Sequence, residues 1–519
     1  LELRTTGTVT GGGDIDLSAG GTDLVIRSGG AVDLTDGNGD RNLGTVAVTT
    51  DQAAASVRLD DTVDGLTIGT VDGVVGVTTG NGAIQITATG VGSDVRIFAD
   101  LTHDGAGSLV IAADDAIVVG AGVTIRSNGS GAVQLLANRD DIQGDGVSID
   151  GAGRDAVRMA AGSQILAGSG RIVIRTDGAA GVGGDVSVSR LTTTNTGNDA
   201  ILIVSDDRIL DGDQDAAVDL IARQGGIELS ARGGIGSSDV LEIDTQRLRA
   251  VNDGTAGSGS VDLRSFRDLQ VDRLQQASDD AVLRVDGSLT IAGAMSSGQR
   301  LELFVAQQVV DAHTTSIDIV APTLMIKAGS GIGQGNAIEV RTADLTAEVT
   351  GDGSLEVHNS ADSATLVRRL HTSDGDVRYT QSGGFAVTVQ QAIAVVGNVF
   401  GRTGADGRTT IIGVTGTFAN STFGPNAPGM RVQYTVTGAQ NQFDSVVVDA
   451  GAPTVNAHEG TLYFDKTANT LYINTDGGTT WAVYGTAGGG VAMASFTPRY
   501  NLYLTGTNMD SWLEGATLT

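Results

Sequence analysis

Apolar and polar residues alternate in short runs along most of the chain. Ile15 and Leu17 alternate in DIDLS, Leu24 and Ile26 in DLVIR, and Val32 and Leu34 in AVDLT. The runs return about every eight or nine residues, separated by turns of Gly, Asp, Ser and Asn. A period of two with regular turn signals predicts many short β-strands. No stretch keeps a 3.6-residue apolar period between helix caps; DRLQQASDD at 272–280 comes nearest and is short.

A long repeat chooses among the all-β architectures. GGIGSSDVLEIDTQRLRA at 233–250 returns as SGIGQGNAIEVRTADLTA at 330–347, 97 residues later. Gly234, Ile235, Gly236, Glu242, Thr245, Leu248 and Ala250 recur as Gly331, Ile332, Gly333, Glu339, Thr342, Leu345 and Ala347. The strands after each bend match too, around Val261, Val271, Leu283 and Leu289 in one copy and Leu355, Val367, Val377 and Val387 in the other. AAGVGGDVSVSRLTTTNTG at 179–197 reads as a shorter third copy. Multi-strand units that repeat with small insertions predict a stacked coil with rungs of roughly 20–27 residues. The fold expected is a parallel β-helix, or β-solenoid, over 1–404. Each Gly-Ile-Gly is expected to be a corner, with Ile235 and Ile332 pointing inward.

Beyond residue 404 the texture changes. Four of the five Pro, both Trp and six of the seven Tyr lie there. GTLYFDKTANTLYINTDGGTTW at 460–481 predicts TLYF turning into TLYIN and then through DGG to Trp481. A smaller, aromatic-bearing β domain for binding, capping or assembly is therefore expected at 405–519.

Composition sharpens this picture. Aromatics make up 4% of the 519 residues, so the core must be thin layers of Val, Ile, Leu and Ala. Nine of the 61 acidic residues are Glu and the rest Asp, a turn-forming bias. The formal charge of −29 argues against nucleic acid as a partner and against anionic lipid. Lysine occurs only at Lys327 and Lys466, so Arg carries the positive charge. Without Cys there is no disulfide and no thiolate ligand. No apolar run is long enough to predict a membrane span. The opening LELRTTGTVT lacks an initiator Met and a signal peptide, as in a mature product or an excised piece.

The GIG-S-x-x-x-LEI-x-T-x-x-L pattern and the GSGSVDLRS that follows resemble the repeat regions of filamentous-haemagglutinin-like bacterial surface proteins. The likeness covers 180–400 well and 1–180 in texture. It implies a right-handed coil, secretion, and a role as adhesin or matrix protein. It carries over no functional residues, because the shared motifs are architectural. The 460–481 hairpin is similar to modules of phage tail fibres and bacterial surface proteins.

Candidate chemistry is sparse. Asp36, Asn38 and Asp40 in DGNGD, and Asp211, Asp213 and Asp215 in DGDQD, have the spacing of the first half of an EF-hand loop. Calcium is the cofactor this suggests. Ala47 and Ala222 stand where the distal Glu would be, so a cage needs ligands from a neighbouring rung. The pairs Asp140–Asp141, Asp206–Asp207 and Asp279–Asp280 raise a glycanase reading. Asn474-Thr475-Asp476 lies outside the coil, no His follows a Gly, and Arg-Ile-Lys is absent, so a polygalacturonase-like set is not assembled. Tyr463, Phe464, Tyr472, Trp481 and Tyr484 are candidate binding or assembly residues.

The expected function is thus a non-enzymatic extracellular or cell-surface structural and adhesive protein. LELRTTGTVT looks like strand from Leu1, so a coil edge there would take preceding sequence or another copy, giving a head-to-tail homo-oligomer or filament. A glycan or cell-surface ligand is the other expected partner. The competing readings are a polysaccharide hydrolase or lyase on a β-helix, and a tailspike-like glycan binder.

Overall fold

The computed structural model describes residues 1–11, 15–17, 23–35, 41–90, 92–139, 155–176, 184–255, 259–313, 316–382, 387–390, 392–394, 399–403, 409–411, 414–415, 447–449, 452–454, 462–465, 470–475 and 479–486. Among these there is no α-helix. The chain divides into two compact units, Leu1–Asp286 and Gly287–Thr519.

The first unit is a parallel β-solenoid. Val57 pairs with Ile84, Ile84 with Leu109, Leu109 with Val133, Val133 with Ile172 and Ile172 with Ile201. All six side chains are completely buried and stack into one column. The steps are 27, 25, 24, 39 and 29 residues. The long step contains 140–154, which lie outside the described residues. Strand interiors alternate between buried and half-exposed positions, as in Val133–Ala137, because successive side chains point to opposite faces of a rung.

The second unit repeats the architecture. Leu301, Leu324, Leu345 and Val367 pair in sequence at steps of 23, 21 and 22 residues. Parallel pairing continues through Thr409–Ile411 and Val414–Thr415. With rungs of this size, a 97-residue repeat corresponds to about four of them. Of 272–280, the nearest approach to a helical pattern, 272–276 belong to the strand Leu269–Gln276, with Leu269, Val271 and Leu274 buried.

Rung corners are held by buried hydroxyls at strand ends. Ser28 donates to the Gly7 carbonyl at 2.8 Å, Thr193 to Gly170 at 2.6 Å and Thr372 to Gly353 at 2.7 Å. These bonds tie strand ends to turn carbonyls of the preceding rung; the Gly7 carbonyl also accepts the Gly30 N–H at 2.9 Å.

The unit also contains a four-stranded sheet of Val447–Asp449, Leu462–Asp465, Thr470–Asn474 and Trp481–Thr486. The last three are antiparallel, with Tyr463 opposite Tyr472 and Asn474 opposite Trp481. The two strands expected within 460–481 thus pair antiparallel, while the turn residues 466–469 and 476–478 lie outside the described residues. No helix among the described residues is long and apolar enough to cross a membrane.

Candidate carboxylate centres

The Gly-Ile-Gly corner positions an acidic cluster in each copy of the repeat. Strand Arg208–Asp211 carries Ile209, which pairs with Ile235 of the corner. The Gly236 N–H donates to the Ile209 carbonyl at 2.8 Å. In the second copy Val309 bridges Ile332, and the Gly333 N–H donates to Val309 at 2.9 Å. Ile235 and Ile332 are completely buried, as expected of inward corner residues. Gly236 and Gly333 have φ of 63° and 62°. A Cβ on Gly236 would meet the Asp262 carbonyl oxygen at 2.2 Å, and one on Gly333 that of Glu356 at 2.4 Å. Both the backbone conformation and the close packing of the next rung therefore exclude a side chain.

Each corner leads directly into a strand that carries a glutamate. Glu242 lies at the start of Leu241–Asn252 and Glu339 in Ile338–Arg341. Asp219 precedes the strand Leu220–Ala231 on the rung before, where Leu220 pairs with Ile243. Its counterpart Asp318 precedes Ile319, which pairs with Val340.

In the first cluster one oxygen from each of Asp211, Asp219 and Glu242 lies within 4.8 Å of the other two. The residues are only 3%, 2% and 5% exposed. Asp211 Oδ1 accepts the Asp213 N–H at 3.0 Å, and Asp219 Oδ2 accepts the Glu242 N–H at 3.0 Å. Asp213 sits half-buried at the rim and accepts the Ser189 hydroxyl at 2.7 Å. Asp211 Oδ2, Asp213 Oδ1 and Glu242 Oε2 are buried with no hydrogen-bond donor.

Burial disfavours the charged form of Asp211, Asp219 and Glu242. It pushes Asp219 up to about 9, with Asp211 and Glu242 adding repulsion. Glu242 rises to about 7 by burial and the charge of Asp211. Asp211 rises to about 6 by burial and its contact with Asp213. Among the described residues no Arg or Lys forms an ion pair with the three. Asp244, two residues after Glu242, is paired with both Arg223 and Arg267.

The second cluster is Asp311, His313 and Asp318, again with ligand atoms within 4.8 Å of one another. His313 stands where Asp213 stands in the first copy. Its Nδ1 is 3.9 Å from Asp311 Oδ1 and 4.0 Å from Asp318 Oδ1. The internal bonds repeat. Asp311 Oδ1 accepts the His313 N–H at 2.6 Å, and Asp318 Oδ2 accepts the Glu339 N–H at 3.0 Å. The Asn336 amide closes one side by donating to Asp311 and to the His313 carbonyl. Burial and the neighbouring Asp311 and Glu339 push Asp318 up to about 7. Asp318 Oδ1 and Glu339 Oε2 have no donor.

Of the candidate calcium residues, Asp211 enters the cluster and Asp213 flanks it. Asp215 is exposed and caps its own turn, accepting the Ala217 N–H at 2.6 Å. Asp36, Asn38 and Asp40 lie outside the described residues, as do Asp140 and Asp141. Asp206 is held by Thr176 and Arg232, and Asp279 by turn donors at Gly259 and Ser278. Tyr472 and Trp481 are half-buried on adjacent strands. The side chains of Tyr463, Phe464 and Tyr484 lie outside the described residues.

The acidic pattern was present in the repeat upstream of the corner. Ile209-Leu210-Asp211 and Asp219-Leu220-Ile221 match Val309-Val310-Asp311 and Asp318-Ile319-Val320, 100 and 99 residues later. The fold class is thus a parallel β-solenoid bearing a duplicated buried carboxylate cluster. Comparison with family models, curated proteins and solved structures gives no match.

Proposed function

We propose that the chain is a non-enzymatic structural and adhesive protein of a cell surface or extracellular matrix, whose copies join head to tail. The observation that carries this reading is where the charged side chains go. In the first unit Arg249 pairs with Glu228, Arg247 with Asp272, Arg284 with Asp262 and Arg264 with Asp286. In the second, Arg368 pairs with Asp344, Arg369 with Glu348 and Arg378 with Glu356. The partners are 21 to 25 residues apart, one rung. The outer faces are thus knitted from rung to rung, which suits a load-bearing wall. The planar, two-pronged guanidinium suits such pairs better than an ammonium, which accounts for the scarcity of Lys.

Carboxylates with raised pKa are also the mark of general acids. Here they are buried, and a polysaccharide could not reach them. A calcium or other divalent ion could. Assembly would use strand edges. Among the described residues, Glu2–Thr5 pairs along one edge, with Val25–Ser28. Its other edge can take a strand of a second copy or of preceding sequence.

Electron microscopy and light scattering of the purified full chain test the assembly. Filaments or concentration-dependent growth are expected, and a stable monomer at high concentration would refute it. Release of reducing sugar ends from polysaccharides would overturn the non-enzymatic reading.

A further inference from the structure

We propose that Asp211, Asp219 and Glu242, with Asp213 at the rim, form a calcium site, and that the repeat carries a second divalent-cation site at Asp311, His313, Asp318 and Glu339. This goes beyond the structural role and does not depend on it.

Three observations converge. The first is geometric: three carboxylates from two adjacent rungs bring oxygens within 4.8 Å of one another, a span that one calcium with Ca–O distances of about 2.3–2.6 Å can bridge. The second is what those oxygens lack. Asp211 and Glu242, 3% and 5% exposed, each keep one buried oxygen without a donor, and Asp213 adds another. Buried acceptors without donors cost stability unless something cationic meets them. Arginines pair with acids all around the coil, yet none of the described ones pairs with these three.

The third is duplication. The second copy rebuilds the same two backbone N–H bonds and leaves Glu339 Oε2 without a donor, as Glu242 Oε2 is in the first; its other vacant oxygen is Asp318 Oδ1, where the first copy has Asp211 Oδ2. Chance turns would not reproduce both bonds together with the vacant glutamate oxygen.

The two sites differ at one ligand, and that difference sets selectivity. The first offers only oxygen, the donor set of a hard ion such as calcium. The second places an imidazole beside the carboxylates, which favours a borderline ion such as zinc.

The test is calorimetric titration of the chelator-stripped full chain with calcium chloride and, separately, zinc chloride. One calcium per chain is expected, with a dissociation constant on the order of 10⁻⁵–10⁻³ M. Asp211→Asn and Glu242→Gln should each weaken calcium binding at least ~10-fold while circular dichroism stays unchanged, since each removes a charge and keeps an oxygen. His313→Asp should add a second calcium and lower zinc affinity, a gain that misfolding could not produce. No calcium binding up to ~10 mM, or binding untouched by the first two variants, would overturn the first site. Zinc binding indifferent to His313→Ala would overturn the second.

Discussion

The Asp219 carboxylate accepts the backbone N–H of Glu242 at 3.0 Å, and the Asp219 N–H donates to the Glu242 carbonyl at 3.1 Å. Two residues on neighbouring rungs are thereby locked to each other by main chain and side chain together. The lock is repeated by Asp318 and Glu339 at 3.0 and 2.8 Å. Asp219→Ala leaves the buried Glu242 N–H without an acceptor, which should cost about 1–3 kcal/mol. Asp219→Asn keeps a carbonyl oxygen in place and should cost less than half as much. Urea melts in chelator compare the two. Equal losses would mean that the N–H bond is not what Asp219 contributes.

The second-copy corner gives a test of close packing against backbone strain. Gly333 and Gly335 both have positive φ, 62° and 86°. A Cβ at Gly335 meets nothing within 4 Å, whereas one at Gly333 strikes the Glu356 carbonyl at 2.4 Å. Gly335→Ala should therefore show conformational strain alone, roughly 1 kcal/mol. Gly333→Ala adds a clash with backbone that cannot move without opening the next rung. Its loss should be at least twice as large, or the variant should fail to fold. Thermal melts of the two variants decide, and equal melting temperatures would contradict the corner geometry.

The coil was legible because its signals are local. Alternation in runs such as Val261–Ser265 and Leu283–Val285, and the Gly-Ile-Gly bends, depend on neighbours along the chain. The acidic centre depends on neighbours one rung away. Asp219 and Glu242 are 23 residues apart, so no motif spacing joins them until the register is known. The loop spacing of Asp211, Asp213 and Asp215 named two residues that lie in or beside this cluster, while Asp215 is exposed and accepts the Ala217 N–H. The recurrence of Glu242 as Glu339 was the visible clue. The aspartates upstream lie before the bend, where the two copies share few other residues.

His103 gives the coil a pH dependence of known sign. It is completely buried, its Nδ1 accepts the Gly105 N–H at 3.2 Å, and its Nε2 has no partner. Burial lowers its pKa below the usual value, and Asp104 offsets this only in part. Above pH ~6.5 the ring is neutral folded or unfolded, so stability is unaffected. As pH falls below that, the unfolded chain takes up a proton that the folded chain refuses. Stability then declines, by at most about 1.4 kcal/mol per pH unit, until the folded-state pKa is passed. The buried Asp61 and Asp94, with pKa values raised by burial, act in the opposite sense on acidification. The difference between the wild type and His103→Gln isolates the ring. The variant should lose less stability between pH 7 and 5, and parallel curves would refute the assignment.

Arg208 tests why the chain uses Arg almost to the exclusion of Lys. Its Nε donates to Asp185 Oδ1 at 2.9 Å and its Nη2 to Oδ2, a two-pronged pair. Asp185 is 3% exposed, and beside the Arg208 N–H at 3.2 Å its carboxylate is met by that pair. Arg4, by contrast, meets Glu2 in open solvent. Arg208→Lys keeps the charge but offers one ammonium where two parallel donors are needed. Part of the buried carboxylate is then left unsatisfied, at a cost of about 1–2 kcal/mol. Arg4→Lys should leave the melt unchanged, because exposed pairs contribute little. Added salt separates the two further, since it screens the exposed pair and barely reaches the buried carboxylate. If Arg208→Lys melts with the wild type in low and high salt alike, the rung-to-rung guanidinium pairs are decoration, and the structural explanation for the Arg bias fails with them.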